Sequence, residues 1–132
     1  MLQFEELRLK LEGLLPEIRD LSEAIGLKQL EREADELDAQ AAAPGFWDDM
    51  DKAQKVSQRT AVLKGKIGDY KQLHTDYEDT MTLIELADEA EDLSLLDECT
   101  EAVEKIQQSM ERQRLSTLLS GEYDSKNAIL TF

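Results

Sequence analysis

Little in this chain of 132 residues is suited to chemistry at a reactive centre. It has one cysteine, Cys99, and one histidine, His74. A lone cysteine cannot close an internal disulfide, which fits a reducing compartment. Proline occurs only at Pro16 and Pro44, and the six glycines lie almost all at segment edges, a composition that argues against disorder. Apolar runs are only a few residues long, so nothing approaches the ~20 apolar residues of a transmembrane helix. The start, Met1-Leu2-Gln3-Phe4-Glu5-Glu6, has acids where a secretory signal has bases, and no apolar region follows. A cytoplasmic location without membrane contact is expected. No phosphate-cradling glycine loop is present, and no cofactor is expected.

What the chain has in abundance is charge. Charged residues make up 34% of it and the net charge is −15, which argues against general binding of nucleic acid or anionic membranes. The sign is unevenly placed. Residues 52–74 hold six bases (Lys52, Lys55, Arg59, Lys64, Lys66 and Lys71) against one acid, Asp69. Residues 76–101 hold eleven acids and no base.

Apolar residues recur at alternating gaps of three and four, the spacing of one helix face. The first stripe is Phe4, Leu7, Leu11, Leu14, Ile18, Leu21, Ile25, with a break expected near Gly13–Pro16 and a stop at Gly26. The second, Leu27, Leu30, Ala34, Leu37, Ala41, ends before Pro44-Gly45. The third is the longest: Val56, Thr60, Leu63, Ile67, Tyr70, His74, Tyr77, Met81, Ile84. It predicts a helix of roughly 60 Å at 1.5 Å per residue. Gly65 and Gly68 inside it predict close approach of a neighbouring helix rather than a break. The fourth, Leu96, Cys99, Val103, Ile106, Met110, is expected to start at a Ser94 cap with Asp97 three residues on. Together these stripes predict an all-α fold, an antiparallel helical bundle with a long projecting helical hairpin made by the last two helices.

Candidate reactive groups reduce to structural ones. His74 sits on an apolar stripe between Tyr70 and Tyr77 with no paired nucleophile or orienting acid, and reads as a core or boundary residue. Cys99 is also on a stripe, and Glu98 and Glu101 beside it oppose thiolate formation. The acidic runs Asp48-Asp49-Met50-Asp51 and Asp88–Asp92 lack the spaced oxygens and central glycine of a calcium loop; the first fits a helix cap. No catalytic, cofactor-binding or metal-binding residue is assigned, and the chain by itself is not expected to be an enzyme. Taking Val56, Leu63, Tyr70 and Tyr77 as heptad d positions places Lys52, Arg59 and Lys66 at g, and Lys64 and Lys71 at e. There they flank the seam and can pair with Glu31, Glu33 or Asp38; the alternative is an exposed strip facing ribosomal RNA or an acidic protein.

Two segments fall outside the helical pattern. Ala43-Pro44-Gly45-Phe46-Trp47-Asp48-Asp49 joins the second and third helices, and Trp47 reads as a buried anchor that wedges this loop onto the bundle. After Ser120-Gly121, the run Glu122-Tyr123-Asp124-Ser125 reads as a turn and Asn127-Ala128-Ile129-Leu130-Thr131-Phe132 as a β-strand. A lone strand leaves its backbone groups unpaired. The expectation is therefore a helical domain over 1–119 and, over 120–132, the turn and first strand of a truncated α+β domain. An orphan strand of this kind would let the fragment dimerise, whereas the intact protein is expected to be a monomer.

The Pro-Gly-Phe-Trp-Asp-Asp loop and the tail from Leu118-Leu119-Ser120-Gly121-Glu122-Tyr123-Asp124 to Ala128-Ile129-Leu130 resemble the bacterial peptide chain release factor 2 family, within the class I release factors. The resemblance extends over essentially the whole chain in order and spacing. It implies translation termination: entry to the ribosomal A site at UGA or UAA and triggering of peptidyl-tRNA hydrolysis. In that family a Gly-Gly-Gln loop serves the peptidyl-transferase centre and a Ser-Pro-Phe tripeptide reads the codon. Neither string occurs in these 132 residues. Contact with stop-codon mRNA and peptidyl-tRNA is thus expected only through absent domains. The partners implied for this part are the ribosome at its stalk base and the GTPase release factor. The competing readings are a freestanding helical scaffold or coiled-coil chaperone-like protein, and a release-factor homologue acting in ribosome rescue.

Overall fold

The computed structural model describes residues 1–120, and these are all-α. Five helices follow one another: α1 (Leu2–Glu12), α2 (Leu15–Ile25), α3 (Leu27–Ala41), α4 (Met50–Ala90) and α5 (Leu96–Ser120). The expected strand over 127–132 lies outside the described residues.

The breaks follow from local backbone chemistry. Pro16 sits in the first turn of α2, where its missing N–H has no intrahelical partner to lose. Gly26, at φ +67°, ends α2 and opens α3 at once, a left-handed conformation that glycine adopts without a Cβ penalty. Between α3 and α4, Gly45 at φ +82° leads into a 3-10 turn, Phe46–Asp48. The Asp49 carboxylate then accepts from the Lys52 N–H at 3.1 Å and caps α4. At the other end of α4, Glu91 is left-handed at φ +53°. Its N–H donates to the Asp88 carbonyl and the Asp92 N–H to the Ala87 carbonyl, both at 3.0 Å, the pairing of a Schellman stop. The next cap differs from expectation. Asp92, not Ser94, supplies the acceptor, taking the Ser94 N–H at 3.0 Å, and a 3-10 turn at Leu93–Leu95 delays α5 to Leu96.

At 41 residues, α4 is about 60 Å long and is the spine of the fold. It contacts α3, α1 and α5. The main core joins Phe4, Leu11, Ile18 and Leu21 to Leu73, Tyr77, Ile84 and Ala87 of α4, and to Cys99, Val103, Ile106 and Met110 of α5. A smaller core joins Leu30 and Ala34 of α3 to Leu63. Helix α5 returns along α4, with Gln113 Nε2 donating to the Asp69 carbonyl at 3.1 Å. Helix α1 packs on both α4 and α5, and the Met1 ammonium pairs with Asp88 near the turn between them.

Gly65 and Gly68 do not mark a close approach. Both are exposed, and a Cβ built on either meets nothing within 4 Å. Helix α4 runs through them because its i→i−4 bonds and its packing on both sides outweigh their low propensity.

Candidate functional site

The basic half of α4 faces α3, and Arg59, Lys64 and Lys71 pair with acids there. Arg59 donates from Nε to Glu33 Oε2 at 2.8 Å and from Nη2 to Oε1 at 3.1 Å. Lys64 reaches Asp38 at 3.0 Å and Lys71 reaches Glu31 at 3.2 Å. The Arg59 hydrogen bond holds the Glu33 carboxyl below the usual carboxylate range, and the same bond raises the guanidinium. These side chains remain more than a third exposed, so each pair contributes a few tenths to about 1 kcal/mol. The pairs align α3 on α4 more than they strengthen it. Lys66 is half-buried, and burial, then repulsion from Arg59, pushes its ammonium pKa down. It lines a small cleft with Ile25, Asp69, Arg112, Gln113, Ser116 and Thr117. Lys52, expected at the seam, is exposed at the start of α4, as is Lys55.

The loop between α3 and α4 reverses the expectation for its aromatics. Phe46, at 8% exposure, is the buried anchor, whereas Trp47 is 57% exposed. The two rings meet edge to face, with centroids 4.9 Å apart and planes at 85°. Phe46 and Trp47 are successive residues of one tight turn, so they point about 120° apart and only one can enter the core. The smaller ring fits between α3 and α4. Phe46 N–H donates to the Ala43 carbonyl and Asp48 N–H to that of Gly45, so the loop is pinned while the indole faces out. Met50, at 70% exposure, lies beside it in sequence.

The remaining candidates fall where their stripes place them. His74 is a boundary residue, with Nδ1 3.6 Å from Glu78 and its ring 6.4 Å from that of Tyr70. Cys99 is fully buried, and burial followed by the nearby Glu98 pushes its thiol up. A thiol so placed packs as a small hydrophobe. The acidic segment from Asp76 to Glu101 surrounds the turn between α4 and α5, where Leu86 and Leu93 are also exposed. Among the described residues no group of three or more His, Cys, Asp or Glu side chains could hold a metal ion.

The chain belongs to the PCRF domain family, whose model matches residues 30–132. It is similar to peptide chain release factor 2 of Clostridium perfringens strain SM101, 34% identical over 131 residues, or 99% of this chain and 36% of the relative. Peptide chain release factor 2 of Petrotoga mobilis is 30% identical over 131 residues, 99% of this chain and 35% of the relative. The chloroplastic peptide chain release factor PrfB1 of Arabidopsis thaliana is 31% identical over 132 residues, 98% of this chain and 29% of the relative. The chain thus spans about a third of the length of the curated relatives it matches. No solved structure matches it.

Proposed function

We propose that this chain works in translation termination, as the helical N-terminal portion of a class I release factor that acts on the ribosome at UGA and UAA. The observation that carries this reading is the similarity to release factor 2 proteins along 99% of the chain. Residues 1–119 form the helical bundle, with α4 and α5 as its hairpin, and 120–132 begin the next domain. On this reading the chain has no peptidyl-tRNA hydrolase activity of its own, because the Gly-Gly-Gln and Ser-Pro-Phe strings that the family uses are absent from its sequence. Its role is placement, at the stalk base and beside the GTPase release factor, in the cytoplasm and as part of a monomeric factor. Among the described residues no helix is long and apolar enough to cross a membrane.

The test is sedimentation of the chain with ribosomes halted at UGA, at low salt, with and without the GTPase release factor. Co-sedimentation without release of formyl-methionine is expected. A chain that stays in the supernatant under both conditions overturns the reading.

A further inference from the structure

We infer that the Phe46–Asp51 corner is a docking point for an arginine-presenting segment of a partner protein. The only tryptophan of the chain stands 57% exposed on a loop whose backbone is pinned and whose neighbouring ring is buried. An exposed indole of fixed orientation is an unusual use of a large apolar side chain, and tryptophan is among the residues that dominate binding energy at interfaces. Asp48 and Asp51 follow it in sequence, are exposed, and make no side-chain hydrogen bond or ion pair among the described residues. Asp49 is already committed to the helix cap.

The chemistry of the corner selects its occupant. A guanidinium stacks on an indole face and also donates hydrogen bonds to carboxylates, so arginine satisfies both features at once. An apolar segment would cover Trp47 and Met50 only by desolvating two unpaired carboxylates. A nucleic-acid base would stack equally well, but its phosphates would meet Asp48, Asp51 and a chain of net charge −15. A second copy brings the same net charge of −15 and would meet the corner with like charge. The inference does not depend on the termination reading, since the corner's geometry and charge carry it.

The probe is a synthetic peptide of alternating arginine and glycine, titrated into the full chain at 0.15 M salt while Trp47 emission is followed. A saturable change is expected. Asp48→Asn with Asp51→Asn should weaken binding about fivefold or more, and calorimetry on Trp47→Leu should show a similar loss. Asp97→Asn with Glu98→Gln, which remove the same charge beyond the far end of α4, should change affinity less than about twofold. Circular dichroism establishes that each variant is folded. Equal weakening by the two neutralisations means diffuse charge attraction and overturns the inference. So do an unmoved emission, a larger response to single-stranded RNA than to peptide, or emission that varies with chain concentration alone.

Discussion

Arg59 of α4 grips Glu33 of α3 with two hydrogen bonds, Nε to Oε2 at 2.8 Å and Nη2 to Oε1 at 3.1 Å. The fork geometry of the guanidinium makes this pair directional, where Lys64–Asp38 and Lys71–Glu31 rest on single contacts. Arg59→Glu should lower stability by about 0.5–1 kcal/mol in urea unfolding, and 1 M salt should remove most of the difference. The Glu33 carboxyl is held below its ordinary value, so it releases its proton more readily folded than unfolded. Its contribution is therefore complete above the unfolded value and is lost as pH falls through the folded one. Glu33→Gln should accordingly flatten the acid side of the stability profile without changing it at neutral pH by more than that same fraction.

Gly65 and Gly68 offer stabilisation without a steric cost. Each sits inside α4 with open space where a Cβ would go. Replacing both by Ala should raise stability by about 2 kcal/mol in total, seen as a higher urea midpoint with an unchanged slope. A loss of stability would mean that a partner or another part of the chain approaches the helix there.

The aromatic pair in the loop separates by burial. Phe46→Ala should cost about 3 kcal/mol or more, as for a core aromatic. Trp47→Ala should cost about 1 kcal/mol, the worth of its edge contact and remaining burial. Comparison of the two thermal midpoints decides it.

A third contrast lies along one heptad row of α4. At Lys52, Arg59 and Lys66 the g position is charged; at Leu73, Thr80 and Ala87 the same row is buried. Leu73→Ala should cost about 2–5 kcal/mol, whereas Lys52→Ala should change stability by less than about 0.5 kcal/mol.

That row also shows how far the sequence could be read. The stripes of all four apolar segments, the break before Pro16, the stop at Gly26 and the acids paired with Arg59, Lys64 and Lys71 were legible, because each follows from spacing or from local backbone chemistry. The widening of the α4 core at Leu73 does not follow from the spacing, although Leu73, Thr80 and Ala87 are all uncharged. A heptad drawn for one partner helix has a two-row seam, whereas α4 packs against both α1 and α5, and with two partners the third row is buried. The choice of Phe46 over Trp47 is also tertiary. Sequence marks both as apolar, and only the shape of the gap between α3 and α4 selects the smaller ring. Gly65 and Gly68 carried no local sign of whether a neighbour lies against them. At the second cap, Asp92 and Ser94 are both good acceptors, and the 3-10 turn between α4 and α5 decided between them.

The proposal that this chain is the placing part of a release factor is tested most directly by a chimera. The chain would replace the matching third of the Clostridium perfringens release factor 2, and release of formyl-methionine would be measured on ribosomes programmed with UGA, UAA or UAG. The account predicts release at UGA and UAA but not UAG, with the chain alone inactive at all three. A folded chimera that binds no ribosome and releases nothing, or release by the chain alone, would contradict it.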